Sequence, residues 1–277
     1  MNKGSKNPVV RVARYLGVIV ASIIALGPVL WTVSTSLKTT RDAQAYPPVL
    51  LTSNPVWSNY TDLFTDRAFI SSVTTSVIVT LGATILTIAV AFPCAYALVR
   101  LRPRGGYGFV LLIVLAQSVP GIVFLIPLYS VVSSIGLYDT RTILVVTYAA
   151  FLTPFATLVI SSFIRSVPVE IEEAALVDGC NRLQLMMRVV FPVSRAGIAS
   201  AMVFTGLYAW NEFLIPVILT GRNTRTLTVH VSTFVAQQSI AWGPLCAAVT
   251  IVMVPAALVV IFLQRQLVTG LTAGSVK

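Results

Sequence analysis

Residues 165–192 read RSVPVEIEEAALVDGCNRLQLMMRVVFP, and this stretch carries an unusual share of the chain's charge. Only 10% of the 277 residues are charged and 56% are hydrophobic. Even so, four of the nine acids lie here: Glu170, Glu172, Glu173 and Asp178. A segment this polar within so apolar a chain indicates a solvent-exposed loop between apolar helices.

The bulk composition indicates a membrane protein. Soluble globular proteins carry roughly 25% charged residues, and a mean hydropathy of +0.88 implies more apolar surface than the chain could hide from water. The net charge of +10 does not indicate nucleic-acid binding, because the basic residues lie between apolar runs rather than in one patch. His230 and three scattered cysteines, Cys94, Cys180 and Cys246, offer neither metal-ligand spacing nor a disulfide framework.

Six apolar runs are long enough to cross a bilayer, which takes about 20 residues. We place the spans near 15–37, 70–98, 108–133, 142–164, 197–220 and 242–263. The first run is too long for a signal peptide and lacks a small-residue cleavage site. Pro120, Gly121 and Pro127 interrupt the third run, which predicts a broken helix whose freed backbone groups find partners in neighbouring helices or a water-filled cavity. We therefore predict an all-α polytopic membrane protein with one transmembrane domain over 1–277 and its core at about 68–264.

The distribution of lysine and arginine predicts the orientation. With a cytoplasmic N-terminus, the inside segments hold 13 basic residues and the outside segments hold six. Basic residues favour the cytoplasmic side, so both termini and the loop 165–195 are predicted to be cytoplasmic.

The loop is predicted to form two short helices. Three glutamates near the start of the first helix suit its positive N-terminal end, and Gly179 can end that helix in a left-handed conformation. Asn181 can cap the second helix, and Pro192 is expected to end it. Along the second helix one apolar face is predicted at i, i+3, i+4 and i+7, formed by Leu183, Met186, Met187 and Val190.

Three interpretations of this loop remain open on these residues alone. It is a solvated amphipathic hairpin, a metal or catalytic site built from Glu170 and Glu173, or a docking knob for a soluble partner. Only the docking knob accounts together for the acids, for the low surface at Ala174 and Ala175, and for the apolar face.

Polar and aromatic residues within the spans are candidates for a substrate path. Glu212 is the one acid placed inside a span, where a carboxylate is costly and faces the bundle interior or water. It either contributes to a substrate or proton path or serves as a hydrogen-bonding anchor near a helix end. The other candidates, which line a path or pack ordinarily, are Pro120, Gly121, Phe124, Tyr129, Tyr148, Phe151, Tyr208, Trp210 and Asn211.

The loop resembles the EAA loop of permease subunits in binding-protein-dependent ABC importers. That signature is Glu-Ala-Ala, three residues, Gly and a later proline, found here as 173–175, Gly179 and Pro192. The stretches IPLYSVVSSIGLYDT (126–140), WNEFLIPVILT (210–220) and QRQLVTGLTAGSVK (264–277) are similar to the carbohydrate branch, as in the second permease of the maltose system. Cys180 and Ala196 depart from the alanine and proline that are usual at their positions.

The resemblance implies a type I ABC importer permease fold and a non-catalytic role. Its coupling helix docks on an ATPase subunit through a set of residues carried over from the signature: Glu172, Glu173, Ala174, Ala175, Asp178, Gly179 and Arg182. The implied partners are a second permease, two ATP-binding subunits that bind ATP and Mg²⁺, an extracytoplasmic sugar-binding lipoprotein and membrane lipid. The implied location is the cytoplasmic membrane of a bacterium. This chain is expected to bind no cofactor, metal or nucleic acid.

Two points bear on the mechanism and the substrate. The chain has no GxxxxGK[ST] stretch, because GRNTRTLT (221–228) lacks the lysine, so ATP binding is assigned to partners. The alternative is an ion-coupled secondary transporter, for which six spans and one embedded acid are few. The branch implies a mono- or oligosaccharide. The overall sequence resembles the second permease of mycobacterial trehalose importers, and an arginine-to-lysine ratio of 15 to 4 is typical of a GC-rich genome, so the resemblance makes trehalose a candidate.

Overall fold

The computed structural model describes residues 8–235 and 240–272, and every regular element in those ranges is a helix. In chain order they are α1 Pro8–Ser36, α2 Thr40–Ala43, α3 Ser58–Thr65, α4 Arg67–Tyr96, α5 Gly106–Ser118, α6 Ile122–Ser134, α7 Arg141–Arg165, α8 Val169–Val177, α9 Arg182–Leu185, α10 Phe191–Val193, α11 Arg195–Asn211, α12 Leu214–Leu219, α13 Leu227–Ser232 and α14 Trp242–Thr272. Two π-helical turns, Ala97–Leu101 and Met186–Val190, follow α4 and α9 directly.

Four continuous helices within the described ranges are long and apolar enough to cross a membrane. They are Arg14–Ser36, Arg67–Leu101, Arg141–Arg165 and Trp242–Gln264, and they match the first, second, fourth and sixth predicted spans. A pair bent by 78°, Arg182–Val193 with Arg195–Asn211, would raise the number to five. The count of six spans and the cytoplasmic position of both termini stay predictions.

The third and fifth predicted spans are not continuous helices. The third divides into α5 and α6 at Val119–Gly121, around the proline and glycine that predicted the break. The fifth was predicted as one helix over 197–220, but α11 ends at Asn211 and α12 begins at Leu214. Pro216 explains this second break, because proline has no N–H to donate to the carbonyl of Glu212 four residues earlier. The hydroxyl of Thr228 donates to that carbonyl instead, at 2.8 Å.

The described part of the chain forms two compact units, Met1–Asp66 with Val231–Met253 and Arg67–His230 with Val254–Lys277. In the first unit, none of the spanning window of α1 is buried. The end of α1 is tied to α3 by Asn59, whose side-chain amide donates to the carbonyls of Ser36 and Lys38 at 2.9 and 3.1 Å. The ammonium of Lys38 lies 4.2 Å from the centroid of the Trp31 ring.

The second unit is built on three mutually packed helices, α4, α7 and α11. Small residues let these helices approach closely, as is usual between membrane helices. Gly197 of α11 shows how closely, because a Cβ atom built on it would lie 2.2 Å from Cγ of Phe163 on α7. Towards the predicted cytoplasmic end, the buried cluster at this junction consists of Ile88, Ala91, Phe92, Ala95, Tyr96, Val99, Ala156, Ile160, Ile164, Val190, Ile198 and Ala201.

Candidate functional site

The loop after α7 folds as the predicted helical hairpin. Its first helix, α8, starts after Pro168 and stops where Gly179 adopts a φ of +87°. The N–H of Cys180 donates to the Ala175 carbonyl at 3.0 Å, and the N–H of Gly179 donates to the Leu176 carbonyl at 3.1 Å. These two bonds satisfy carbonyls that the helix end leaves open, and a left-handed glycine is the residue that permits them. The predicted bend at Gly179 is confirmed.

The second helix starts with a reciprocal cap. The side-chain oxygen of Asn181 accepts from the Gln184 N–H at 2.9 Å, and the Gln184 side chain accepts from the Asn181 N–H at 3.0 Å. Each side chain satisfies a donor that the first turn leaves unpaired, so the hairpin angle is set locally. The predicted cap at Asn181 is confirmed.

The predicted apolar face of the second helix is wrong in part. Leu183 is 66% exposed and Met187 is 51% exposed, whereas Leu185 and Val190 are buried. The π-helical turn Met186–Val190 inserts one residue into the helical repeat, so the spacing i, i+3, i+4, i+7 no longer describes one face.

The helix end predicted at Pro192 is confirmed to within one residue. The helical run passes through Pro192 to Val193, and the bend into α11 falls at Ser194. Pro192 lies in α10, which follows the π-helical turn directly, and the helix continues for one residue beyond Pro192.

A buried ion pair joins the hairpin to the membrane helices. Glu172 of α8 is 4% exposed, and its Oε1 accepts from Nε of Arg100 at 2.6 Å. The Nη2 atom of Arg100 also donates to the carbonyls of Ile164 and Val167, at 3.0 and 2.6 Å. One guanidinium therefore links α8, the π-helical turn after α4 and the end of α7. The hydroxyl of Tyr96 also donates to Oε2 of Glu172, at 3.4 Å. A buried pair with these further hydrogen bonds holds its elements in one arrangement, because moving either charge away from its partners would leave it desolvated and unpaired.

The residues predicted to dock divide into a surface and an anchor. The exposed ones are Glu173, Ala174, Asp178, Gly179 and Arg182, and Ala175 is half-buried. Glu172 is the exception, because its carboxylate pairs with Arg100 and its side chain is only 6% exposed. The geometry therefore assigns Glu172 to the orientation of α8 rather than to the surface that α8 presents. Docking through the other six residues, Glu173, Ala174, Ala175, Asp178, Gly179 and Arg182, stays a prediction.

Glu212 lies at the break between α11 and α12 and has several hydrogen bonds. Its Oε1 accepts from the N–H groups of Leu214 and Ile215, at 2.9 and 3.2 Å, which satisfies the first turn of α12. Tyr148 and Tyr208 both lie close enough to Glu212 for its charge to act on their hydroxyl groups. The anchoring interpretation of Glu212 thus has direct geometric support, and a role in a substrate path stays a prediction.

The other path candidates fall into separate groups. Phe124 and Phe151 meet edge to face with centroids 6.3 Å apart, and Tyr129 meets Tyr138 edge to face with centroids 5.6 Å apart. Trp210 lines a different space, an apolar cavity of about 330 Å³ shared with Thr80 and Thr84. Pro120 and Gly121 occupy the exposed break between α5 and α6, and the Asn211 amide donates to the Leu207 carbonyl of its own helix. The path candidates therefore form two groups, the Phe124–Phe151 ring pair and the set of Tyr148, Tyr208 and Glu212.

Asp139 is a hydrogen-bonding centre that the sequence interpretation missed. It precedes α7 with a φ of +56°, and its carboxylate accepts five hydrogen bonds of 2.7–3.1 Å from Gly221, Asn223 and Thr224. Partial burial alone would raise the pKa of Asp139, but these donors outweigh it and lower the pKa below its usual value. Within the sequence, the one local sign of a special role was that Asp139 follows Gly136 closely. Both residue types favour tight turns, because glycine and aspartate tolerate the left-handed backbone region.

Replacing Asp139 with alanine is expected to lower the free energy of unfolding by about 2 kcal/mol or more, because three backbone donors lose a charged acceptor. The pKa of Asp139 in the folded state lies below its ordinary value of 3.8. The stability that the Asp139 carboxylate contributes is therefore fully present at pH values above 3.8, and it is lost as the pH falls through the lowered pKa of the folded state. Thermal unfolding in detergent measures the loss, with Asp62→Asn, an exposed aspartate of α3, as the control. Equal stability of Asp139→Ala and Asp62→Asn would contradict the assignment.

The hairpin is fastened to the spanning helices by a buried ion pair, and two of the predicted spans are broken, one of them at Glu212. This construction fits a membrane permease subunit. The chain belongs to the family of binding-protein-dependent transport system inner membrane components, which matches residues 83–272. The resemblance to permeases of carbohydrate ABC importers is confirmed.

Relatives from several bacteria are similar over nearly the whole chain. The sulfoquinovosyl glycerol transport system permease protein SmoH of Agrobacterium fabrum is 30% identical, over 95% of this chain and 93% of its own. The diacetylchitobiose uptake system permease protein DasC of Streptomyces coelicolor is 32% identical, over 90% and 91%. The trehalose transport system permease protein SugB of Mycobacterium tuberculosis is 30% identical, over 91% and 93%. Near-equal identity to three systems named for different sugars does not single out trehalose.

Two solved structures share the fold. A chain of a bacterial ABC transporter involved in the import of the acidic polysaccharide alginate superposes with a TM-score of 0.80 at 20% identity, covering 96% of this chain and 99% of that chain. A chain of the alginate transporter in complex with a pentasaccharide-bound periplasmic protein superposes with a TM-score of 0.62 at 17% identity, covering 92% and 93%. The predicted permease fold is confirmed by this likeness.

Proposed function

We propose that this chain is the non-catalytic permease subunit of a bacterial importer that moves a sugar across the cytoplasmic membrane by alternating access. ATP hydrolysis in partner subunits drives the change. The observation that carries the proposal is the construction of the α8–α9 hairpin, whose face is exposed while Glu172 fixes it to the spanning helices. A partner that moves this face displaces α4 and α7 with it, which is how a distant ligand biases a two-state element.

The proposed assembly contains four kinds of partner. α1 exposes an entire apolar span, which favours burial against a second permease or lipid. Two ATP-binding subunits bind the hairpins and carry ATP and Mg²⁺, so this chain holds no cofactor of its own. An extracytoplasmic sugar-binding lipoprotein delivers the substrate, by analogy with the periplasmic protein of the alginate complex. A secondary transporter is not favoured, because family membership ties the chain to a binding protein.

The proposed substrate is a mono- or oligosaccharide, with trehalose as one candidate. The relatives are named for sulfoquinovosyl glycerol, diacetylchitobiose and trehalose, which share sugar rings but differ in charge and size. Aromatic faces and hydroxyl groups suit such rings, and we place the path beside Tyr148, Tyr208 and Glu212. The binding protein, rather than this subunit, then selects among sugars.

Glu173→Lys tests the docking face. The exposed Glu173 carboxylate has no ion-pair partner among the described residues, so the substitution leaves membrane insertion intact and reverses the charge offered to the ATPase. We expect about tenfold or greater loss of ATPase co-purification, because opposed charges at an interface weaken docking strongly. Gly179→Asp is expected to act in the same direction, because a φ of +87° lies beyond the left-handed region at about +57° that aspartate tolerates, and any Cβ atom is strained there.

Asp62→Lys is the matched control, because it makes the same charge change on the predicted exterior side. Normal ATPase co-purification with both Glu173→Lys and Gly179→Asp would contradict the docking assignment. Loss in the control as well would show that the charge change acts through general misfolding.

A further inference from the structure

An arginine-lined cavity lies beside the hairpin, at the predicted cytoplasmic ends of α4 and α7. Its volume is about 520 Å³, and its lining includes Arg100, Arg102, Arg165 and Glu170. The lining is amphipathic, because apolar residues complete it together with Ser166: Leu98, Val99, Val167, Pro168 and Val169. All of these residues belong to the second compact unit.

The cavity holds more positive charge than the protein neutralises. Arg100 is paired with Glu172, and its Nε and Nη2 atoms have partners while no described residue accepts from Nη1. The guanidinium groups of Arg102 and Arg165 are exposed and make no hydrogen bond or ion pair with any described residue. Glu170 is the one unpaired carboxylate in the lining, so an excess positive charge remains.

The backbone at Arg102 is specialised for this position. Arg102 has φ 43° and ψ 57°, a left-handed conformation that costs free energy for a residue with a Cβ atom. Its N–H donates to the Ala97 carbonyl at 3.2 Å and so closes the π-helical turn. The turn therefore ends by placing an arginine, rather than the usual glycine, at the cavity wall.

We propose that this cavity binds a phosphate group, and that the phosphate is the headgroup of an anionic phospholipid of the cytoplasmic leaflet. Arginine forks match phosphate oxygens in geometry and charge, and the apolar half of the lining suits the glycerol end of a lipid. Basic clusters directly beside a spanning helix attract anionic headgroups in this way. The site goes beyond the proposed transport function and depends only on the cavity and the predicted orientation.

Native mass spectrometry of the full chain, purified with its partner subunits, tests the site with phosphatidylglycerol, phosphatidylcholine and inorganic phosphate as probes. Wild type is expected to retain one phosphatidylglycerol about tenfold better than phosphatidylcholine, and Arg102→Gln/Arg165→Gln is expected to abolish that preference. Glu170→Gln is expected to strengthen retention, because it removes the one opposing carboxylate. This gain keeps the test decisive if the double variant is unstable.

Arg104→Gln is the matched control, because Arg104 is exposed two residues from Arg102 but does not line the cavity. Displacement of phosphatidylglycerol by millimolar phosphate would identify free phosphate as the source of the same chemistry, and resistance would identify the lipid. Unchanged retention in the double variant, or equal loss in Arg104→Gln, would overturn the proposal. So would binding to the permease alone that vanishes when the ATPase subunits are present, because the arginines would then serve an ATPase carboxylate.

Discussion

Replacing Glu172 with alanine is expected to lower the free energy of unfolding by about 3–5 kcal/mol and to uncouple ATP hydrolysis from transport, because it leaves Arg100 buried without its counter-charge. Arg100 also holds the carbonyls of Ile164 and Val167, so Arg100→Ala is expected to cost at least as much. Thermal unfolding in detergent gives the stability, and ATP hydrolysed per sugar transported gives the coupling. The loss of coupling distinguishes an anchor that carries motion from one that only stabilises.

The two effects are expected to be strongly non-additive. Once either partner is gone, removing the other relieves the unpaired charge, so Arg100→Ala/Glu172→Ala should be less unstable than the sum of the single variants. Glu170→Ala is the control, because Glu170 is exposed on the same helix and pairs with no described residue. Additive losses, or coupling that survives in Glu172→Ala, would contradict the role of this ion pair.

Gly197→Ala is expected to disrupt the contact between α7 and α11. The added methyl would lie 2.2 Å from Cγ and 2.6 Å from Cβ of Phe163, so a helix must shift rather than a flexible side-chain end. Overpacking of this kind costs about 1–3 kcal/mol, and here it also displaces a helix next to the hairpin. We expect a lower unfolding temperature in detergent and reduced transport.

Gly206→Ala supplies the matched control on the same helix. Its Cβ would meet only Oγ1 of Thr84 at 3.6 Å, an ordinary contact, and alanine is favoured over glycine in a helix by roughly 0.5–1 kcal/mol. It should therefore be neutral or stabilising. Phe163→Ala combined with Gly197→Ala should recover part of the loss, and equal stability of the two glycine variants would refute the packing argument.

The hairpin was predictable because its determinants are local. Gly179 ends α8 and Asn181 begins α9 through bonds that reach no farther than five residues. The spacing of apolar residues predicted the buried face less well, because a π-helical turn, which the residue types do not announce, moves burial from Leu183 to Leu185. The helix boundaries of the hairpin could therefore be predicted from the sequence better than the burial of its side chains.

The features that depend on distant contacts could not be predicted. Arg100 and Glu172 are 72 positions apart, and Asp139 is more than 80 positions from its partners, so neither pairing leaves a local pattern. The break at Glu212 was missed for a related reason. Pro216 was visible, but whether a proline kinks a span or divides it depends on a donor such as Thr228 that can satisfy the freed carbonyl.

The most direct test of the proposed function is sugar uptake into vesicles reconstituted with this chain, its second permease, the ATPase subunits and the loaded binding protein. Uptake is expected to require ATP and to stop when the ATPase subunits are omitted, because the chain has no nucleotide-binding loop of its own. Sustained uptake by the permease without ATPase subunits, driven by a proton or sodium gradient, would contradict it.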